Sequence, residues 1–446
     1  MPENVPVGGS VDALLAPRLE QRILPGLERM RRVLDVLGHP ERRVPAVLIA
    51  GTNGKGSTAA LLDAVVRAHG LRVGLYTSPH LLRVEERIRI AGEPIAAARL
   101  RELVASLERF PELSYFEVLT VAAFLCFAEA GIDLAILEVG LGGRWDATNA
   151  TTPLVALLTN VGTDHRAWLG PTRGHIAAEK AAALRGKEAI VGSWDDEVEA
   201  VIRREADPAT PLSLASDWAE SRADSPQLTA DSQGRSGMRL EDGREDCELS
   251  AVGCRLPAGQ PVAFRVGEVA GVATLPLLGR HQLDNLALAL AGAAALARHG
   301  AVPALRPDAI AAGIAGVSWP GRLHWVEWRG RRLLLDGAHN REATAALVGS
   351  IVGLGLSGRL HLLFSCLDDK PAEAMAGLLR PHVRDVLLAP IDSPRAVSVD
   401  RLAAVFPGGR PCPSVAAALA ALPPDLPTLV TGSLRLVGEV MAHTGR

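Results

Sequence analysis

A glycine-rich segment carries the residue types of a phosphate site. Ala50–Thr58 (AGTNGKGST) follows a short apolar run and precedes a helical pattern. Glycines let backbone N–H groups converge on phosphate oxygens, and a helix N-terminus adds a positive dipole. Lys55 supplies a point charge, and Ser57 or Thr58 can support Mg²⁺. We therefore predict a phosphate site formed by Gly51, Thr52, Asn53, Gly54, Lys55, Gly56, Ser57 and Thr58.

The segment departs from the common pattern GxxxxGK[ST]. Gly56 follows Lys55 directly, and Ile49 stands where the pattern has its first glycine. A glycine-rich turn without a ligand is the alternative, but the strand before it and the helix after it favour phosphate.

Two further strand ends carry groups suited to a divalent cation. Glu138 ends the strand predicted over 134–139, and Asp164 and His165 follow the strand predicted over 154–159. A carboxylate that merely caps the sheet edge and a structural histidine are the alternatives. Because parallel strands deliver their carboxyl ends to one crevice, the combination with the phosphate loop favours a metal site.

Other polar residues are weaker candidates. Ser78 and His80 follow the second predicted strand, in a charge-rich stretch that is usually solvated surface. Lys180 lies in a predicted helix beside Glu179, where an exposed ion pair is the simplest interpretation. In the C-terminal third of the chain, turns and strand ends carry polar residues that imply a second half-site: Arg322, Asp336, His339 and Asn340. Arg322 could neutralise a triphosphate, and Asp336 could fix a ribose or a water.

The elements that position these residues alternate between strand and helix, which predicts parallel α/β sheets. We expect a doubly wound domain over 1–302, with variable hairpins and loops over 195–275. A linker over 303–316 and a smaller α/β domain over 317–446 follow. The pattern predicts strands at 44–50, 72–76, 134–139, 154–159, 189–191, 333–336, 360–365, 385–389 and 428–431, and helices at 57–69, 96–110, 116–130, 172–184 and 283–298.

Composition excludes several classes of protein. The chain has 446 residues, of which 48% are hydrophobic and 22% charged, so bulk disorder is excluded. A net charge of −3 provides no global basic field for nucleic acid or anionic lipid.

The longest apolar runs, 118–128 and 286–297, are shorter than the roughly 20 residues that span a bilayer. The start MPENVPVGGS does not read as a secretory signal, so we expect a cytoplasmic protein. An odd set of cysteines without CxxC predicts ordinary thiols at Cys126, Cys247, Cys254, Cys366 and Cys412.

Several segments taken together resemble one family. AGTNGKGS, YTSPHLLRVEERIRI, YFE (Tyr115–Glu117), LEVGLGGRWDATN, TDHRAWLG, AAEKAAALR, GRHQLDN, WPGRL and DGAHN occur in this order between residues 50 and 340. This set closely resembles the folylpolyglutamate synthase and dihydrofolate synthase family, relatives of the Mur ligases, and its bifunctional bacterial members in particular. The resemblance implies an N-terminal P-loop ATPase-type domain, which binds ATP, and a smaller Rossmann-like C-terminal domain that closes over it.

The resemblance also implies roles for individual residues. Phosphates would be held by Gly54, Lys55, Gly56 and Ser57. Two Mg²⁺ sites would draw on Ser57, Ser78, Glu138, His165 and Lys180, the last as a carbamate. Nucleotide positions are matched by Asn285, Arg322, Asp336 and His339. The substrate acid would contact Ser78, Pro79, His80, Arg83, Phe116 and Asp164. Catalytic roles fall to Lys55, Lys180, His165 and Arg322.

The implied reaction joins glutamate to a pterin-linked carboxylate. ATP phosphorylates the carboxylate, and the amine of glutamate then displaces phosphate. Dihydropteroate, tetrahydrofolate or both remain open as substrates, and a monomer suffices. A Mur ligase acting on UDP-linked peptidoglycan precursors and a non-enzymatic nucleotide-binding module are the alternatives. A Rossmann dehydrogenase is rejected because GTNGKG lacks the GxGxxG spacing.

Overall fold

The chain folds into two compact units. A computed structural model describes residues 11–16, 18, 25–223 and 259–445. Of these, the first unit contains 11–220, 265–270 and 284–319, and the second contains 221–223, 259–264, 271–283 and 320–445. Both units are therefore discontinuous in sequence, whereas we predicted continuous domains. The predicted limits 1–302 and 317–446 stay a prediction.

The first unit is built on an eight-stranded sheet in the order β4-β3-β2-β5-β1-β6-β7-β8. From β2 to β8 neighbouring strands are parallel, while β3 and β4 continue the sheet antiparallel. The strands are β1 (Ala46–Ala50), β2 (Val73–Tyr76), β3 (Ile88–Ile90), β4 (Glu93–Pro94), β5 (Leu134–Glu138), β6 (Val155–Leu158), β7 (Glu188–Val191) and β8 (Leu212–Leu214).

The central strands form the core of this unit. Every residue of β1, β5 and β6 is buried, as expected for parallel strands covered on both faces. Helices lie before, between and after the strands: α1 (Val11–Leu15), α2 (Glu28–Val36), α3 (Lys55–Ala68), α4 (Ala97–Ser106), α5 (Tyr115–Ala130), α6 (Arg166–Leu169), α7 (Arg173–Ala181), α8 (Asp196–Glu205), α9 (His281–Arg298) and α10 (Pro307–Ala315).

A separate three-stranded sheet has the order β11-β10-β9, from β9 (Ala219–Ala223), β10 (Gln260–Val266) and β11 (Val269–Leu275). Part of the predicted variable region, including Cys247 and Cys254, lies outside the described residues.

The second unit contains a six-stranded sheet in the order β12-β13-β17-β14-β15-β16, with only β12 antiparallel to its neighbour. Its strands are β12 (His324–Trp328), β13 (Arg331–Leu335), β14 (His361–Phe364), β15 (Val386–Leu388), β16 (Arg410–Pro411) and β17 (Thr428–Thr431). Its helices are α11 (Arg341–Gly353), α12 (Ala372–Leu379), α13 (Val399–Val405), α14 (Val415–Ala420) and α15 (Leu434–Thr444). The predicted α/β class is confirmed.

Two helices differ from the sequence-based expectation. The start of the stretch predicted as hairpins and loops is the helix α8, which Asp195 caps by accepting the Val198 N–H. Most of the predicted linker is the helix α10, which begins with Pro307 and buries Ile310 and Ile314. Both helices are short: α8 is rich in charged residues and α10 in alanine, so neither contains a long apolar repeat.

Two smaller expectations can also be compared with the structure. Cys126, Cys366 and Cys412 are free, buried thiols, as predicted. Among the residues that the structure describes, no helix has the length and apolar character needed to cross a membrane.

Candidate functional site

The glycine-rich loop lies between β1 and α3, where the sequence predicted it. Gly51 has a φ of 146°, and a Cβ added there would lie 1.8 Å from Thr159 Oγ1. Gly54 has a φ of 85° and caps the N-terminus of α3. Lys55 opens the helix, and its Nζ lies 3.4 Å from the Thr52 carbonyl oxygen. The backbone N–H groups of the loop therefore lie next to the N-terminus of α3, a geometry that suits a bound anion.

The segment after β6 holds this loop in place. Asn160 accepts hydrogen bonds from the Thr52 N–H with its backbone oxygen and from the Asn53 N–H with Oδ1, at 3.0 and 3.1 Å. Thr159 Oγ1 donates to the Asn53 carbonyl oxygen at 2.6 Å. These two residues support the loop, and the sequence analysis did not select them.

Lys180 is buried beneath the same loop. Only 4% of the residue is exposed, and Nζ donates to the Gly51 carbonyl oxygen at 2.8 Å. Burial, together with the charge of Lys55, lowers the pKa of Lys180 to about 7, although Asp164 and Asp146 oppose this shift. The interpretation of Lys180 as an exposed, ion-paired lysine is therefore wrong. Its neighbour Glu179 pairs with Arg144 instead, at 3.1 Å.

Glu138 ends β5 directly beside the end of β1, because it pairs in register with Ile49. The carboxylate is buried, and its Oε2 accepts the Ser78 N–H at 3.0 Å. Ser78 is joined to Pro79 by a cis peptide bond. The end of β5 and the loop after β2 therefore meet beside the phosphate loop.

Asp146 organises the loop that follows β5. Its carboxylate accepts N–H groups of Gly140, Leu141 and Thr148, each at 3.0 Å. Burial raises its pKa, and those hydrogen bonds oppose the shift. A Cβ on Gly140 would lie 2.7 Å from the ring of Phe116, so the first turn of α5 packs against this loop.

Asp164 and His165 lie at the start of α6. Asp164 is buried and accepts the His165 N–H at 2.8 Å, whereas the His165 side chain is 38% exposed. His165 has a φ of 56°, in the left-handed region. Its Nε2 atom lies 3.9 Å from Asp164 Oδ2.

The remaining candidates of the first unit surround these groups. Arg87 Nε donates to His80 Nδ1 at 3.0 Å, and its guanidinium lies over the Tyr115 ring at 5.2 Å. Arg83 is exposed. Asn285 lies against Gly54, with Oδ1 2.3 Å from where a Cβ would be.

Trp319 is a further neighbour that the sequence analysis did not identify. Its ring lies 3.2 Å from where a Cβ of Gly56 would be, at the start of α3. The ring also lies beneath the Arg89 guanidinium, at 5.5 Å from the ring centroid.

The second unit carries its own group of predicted residues. The buried carboxylate of Asp336 accepts the Leu323 and Ala338 N–H groups at 3.0 and 2.9 Å. An Arg322 Nη1 atom lies 2.8 Å from where a Cβ of Gly337 would be. His339 Nδ1 is 2.8 Å from the Gly337 carbonyl oxygen. Asp336 therefore holds together the two backbone segments that carry Arg322 and His339.

The first unit thus has a parallel α/β sheet and a glycine-rich loop between β1 and α3, an arrangement typical of mononucleotide-binding α/β domains. The family model of the Mur ligase middle domain matches residues 49–293, and the model of the Mur ligase glutamate ligase domain matches 321–433. The first model alone covers more than half of the chain.

Comparison with individual proteins points to one branch of the Mur ligases. A dihydrofolate synthase/folylpolyglutamate synthase from Mycobacterium tuberculosis is 37% identical over 403 residues, covering 86% of this chain and 78% of that protein. A probable bifunctional folylpolyglutamate synthase/dihydropteroate synthase from Haloferax volcanii is 36% identical over 436 residues, so this chain, at 94% coverage, spans about half (48%) of that longer relative. A solved bifunctional folylpolyglutamate synthase/dihydrofolate synthase with Mn, AMPPNP and L-glutamate bound superposes with a TM-score of 0.78 and 30% identity, covering 98% and 99% of the two chains.

The chain belongs to the Mur ligase family, in its branch of folylpolyglutamate and dihydrofolate synthases. The resemblance noted from the sequence is confirmed at the level of family. The roles of individual site residues stay predictions.

Proposed function

We propose that this chain is an ATP-dependent ligase that joins the α-amino group of L-glutamate to the carboxylate of a pterin-linked acid. Dihydropteroate and tetrahydrofolate are the two acids that we propose for testing. The γ-phosphoryl group of ATP passes to a carboxylate oxygen, and ADP leaves. The glutamate amine then forms the C–N bond as phosphate departs with that oxygen, so the products are an amide, ADP and phosphate.

One observation carries this proposal: the buried polar cluster around the phosphate loop. Lys180, Glu138 and Ser57 are each at least nine-tenths buried beside or within a loop that ends in a helix N-terminus. Buried charged groups are costly unless partners or a ligand compensate them. Two of the relatives are named as folylpolyglutamate and dihydrofolate synthases, and the solved one holds AMPPNP and L-glutamate.

The residues present fit a hard divalent cation. The predicted donors are hydroxyl and carboxylate oxygens with one imidazole, from Ser57, Ser78, Glu138 and His165, which suits Mg²⁺. Thr58 Oγ1 is buried without a hydrogen-bond partner among the described residues. Across those residues no three His, Cys, Asp or Glu side chains form a metal cluster, so hydroxyl groups are needed as donors. Mg²⁺, when bound, would offset the negative charge of the phosphate oxygens.

We further propose that Lys180 carries a carbamate. Its neutral amine would attack CO₂, forming an N–C bond and releasing a proton to solvent. The modification replaces a cation with an anion that has two oxygens, which suits a side chain predicted to lie near Mg²⁺. Complete burial under Gly51 supports this proposal, since an ammonium there has lost its hydration.

We assign the following roles to residues of this chain. Lys55 and the backbone N–H groups of the loop bind the phosphates. Phe116 and Asp164 contact the pterin-linked part of the acid, as do Ser78, Pro79, His80 and Arg83. Arg322, Asp336, His339 and Asn285 stay predicted nucleotide-binding residues. No covalent enzyme nucleophile is needed.

An assay of ADP formation tests this function. The purified protein is given ATP and Mg²⁺ with each acid separately, with and without glutamate. We expect ADP release to require both an acid and glutamate. Release stimulated only by a UDP-linked muramoyl peptide would instead favour a peptidoglycan ligase, and slow release indifferent to both substrates would favour a nucleotide-binding module.

Two further parts of the proposal concern the working state of the protein. We propose that it acts as a monomer, because one chain carries every predicted site residue. We also propose a cytoplasmic location, where ATP and glutamate are abundant.

A further inference from the structure

The segment that carries Phe116 is held by residues from the start of the chain. This segment, residues 107–117, joins α4 to α5 and is called the Phe116 segment below. The guanidinium of Arg18 donates to three of its carbonyl oxygens: Phe110 and Leu113 through Nη1, at 2.9 and 2.8 Å, and Leu107 through Nη2, at 3.2 Å. The Leu107 and Phe110 carbonyl oxygens also accept the N–H groups of Phe110 and Leu113, at 3.0 and 3.3 Å, so Arg18 ties consecutive turns of the segment together.

Arg29, on α2, holds the other end of the segment. Its Nη2 donates to Glu117 Oε1 at 2.9 Å, and this ion pair is largely shielded, with exposed side-chain fractions of 19% and 7%. The other carboxylate oxygen of Glu117 accepts the Ser114 N–H at 2.8 Å, which completes the capping box of α5. Arg29 is therefore bonded to the group that fixes the first turn of this helix.

Phe116 lies within that first turn and packs against β2 and the loop that follows β5. Its ring is 5.8 Å from the Tyr76 ring, centroid to centroid, and packs where a Cβ of Gly140 would be. Gly140 in turn donates its N–H to Asp146. A shift of the first turn of α5 would therefore move Phe116 and disturb the Asp146 loop.

We infer that Arg18 and Arg29 are positioning residues for the acid substrate: they fix the Phe116 segment and so set the affinity for the pterin-linked acid without contacting ATP. This inference rests on the proposed function, which places Phe116 against the acid. A loosened first turn would weaken the contact of Phe116 with the acid equally in the bound ground state and in the transition state, so the loss should appear in the KM for the acid and not in kcat. Neither arginine is bonded to the phosphate loop in the contacts described, so the KM for ATP should not respond.

Steady-state kinetics of Arg29→Ala, Arg29→Lys and Arg18→Ala test the inference. For Arg29→Ala we expect the KM for the acid to rise about tenfold, with kcat and the KM for ATP within about twofold of the parent. Arg29→Lys keeps the charge and should recover part of the loss. Arg18→Ala should raise the same KM, because it frees the other end of the segment. If Arg29→Ala does not fold, the other two variants decide.

Arg99→Ala is the matched control. Arg99 pairs with Glu129 at the opposite end of α5, so its loss removes an ion pair from the same helix without touching the first turn. We expect wild-type kinetic constants for it. In a Phe116→Ala background, Arg29→Ala should add no further rise in KM, because the two residues act in one chain of contacts.

Different results would contradict this inference and the proposed function. An unchanged KM for the acid in Arg29→Ala, or in both other variants, would overturn the inference, as would an equal rise in the KM for ATP. If Phe116→Ala raises the KM for the acid and Arg29→Ala does not, only the inference fails. If the parent protein shows no turnover that depends on a pterin-linked acid, the proposed function fails with it.

Discussion

At the residue scale, Lys55 is the most direct test of the phosphate loop. Its side chain makes one long contact, to the Thr52 carbonyl oxygen, and is only partly buried. Lys55→Ala should reduce turnover by about a thousandfold or more while leaving the melting temperature within a few degrees, because no core cavity opens. ADP formation and thermal unfolding measure the two effects.

A matched control for this prediction is Lys187→Ala. Lys187 is an exposed lysine of the same unit, next to the start of β7. It should retain full activity. Turnover of Lys55→Ala near that of the parent would contradict the assignment of the phosphate loop.

Glu138 tests the metal proposal. Glu138→Gln keeps an oxygen that can accept the Ser78 N–H but removes the negative charge. The Mg²⁺ concentration needed for half-maximal turnover should therefore rise about tenfold or more, or turnover should be lost. His165→Ala should shift the titration in the same direction. If both variants titrate like the parent, the cation binds elsewhere.

Lys180 tests the carbamate. Lys180→Ala should abolish turnover, and short carboxylic acids should restore part of it by supplying the missing oxygens. Carbon-13 NMR of protein equilibrated with labelled CO₂ should show a carbamate signal that is absent in Lys180→Ala. An active parent enzyme without this signal would show that the unmodified lysine is sufficient.

The sequence located those candidate residues whose position follows from local patterns. The glycine-rich loop, Glu138 and His165 each stand next to a recognisable strand or helix. The helix around Lys180 favoured an exposed ion pair, and only the family resemblance pointed to a metal-site role for this residue. Its buried contact is with Gly51, which is 129 residues away. Asn160 supports the loop through similarly distant contacts, and no local pattern could show them.

At the element scale, the loop after β5 packs on the C-terminal turn of α7, which carries Lys180. A Cβ added at Gly143 would lie 2.8 Å from the Glu179 carbonyl oxygen and 3.0 Å from that of Lys180. Backbone atoms cannot yield as a side chain can. Gly143→Ala should therefore lower the free energy of unfolding by about 2 kcal/mol and also reduce turnover. Urea unfolding and ADP formation check the two effects.

Gly174→Ala is the control for this prediction. Gly174 lies on the same helix, and an added Cβ would meet Thr172 Oγ1 only at 3.7 Å, an ordinary contact. Its free energy of unfolding should change by less than about 1 kcal/mol, in the stabilising direction if at all. Equal changes in the free energy of unfolding for Gly143→Ala and Gly174→Ala would contradict the explanation by close packing on α7.

Elements with a strong apolar pattern were predictable, and those with a weak one were not. The central strands are continuous apolar runs, and β1, β5 and β6 lie within a residue or two of their predicted bounds. The helix α8 buries only Val198 and Ile202, so charged residues dominate its sequence. Val198 and Ile202 are four residues apart and so share a face, but the helix has only 10 residues and this pattern is short.

At the scale of the whole molecule, the alternation of strands and helices predicted two α/β units, but not that each would be discontinuous in sequence. Residues 265–270 belong to the first unit although the residues on either side belong to the second. Such exchanges depend on contacts between distant segments. The nine family motifs could be recognised in the sequence between residues 50 and 340. The two Mur ligase models match 49–293 and 321–433, one in each half of the predicted two-domain arrangement.

The central claim is that the carboxylate is activated by phosphorylation before glutamate attacks. The most direct measurement supplies the pterin-linked acid with ¹⁸O in its carboxylate, together with ATP, Mg²⁺ and glutamate, and follows the label by mass spectrometry of the released phosphate. We expect each phosphate released with the amide to carry one ¹⁸O, because the phosphoryl group leaves with the carboxylate oxygen that it joined. Amide formation accompanied by unlabelled phosphate would contradict the acyl phosphate route.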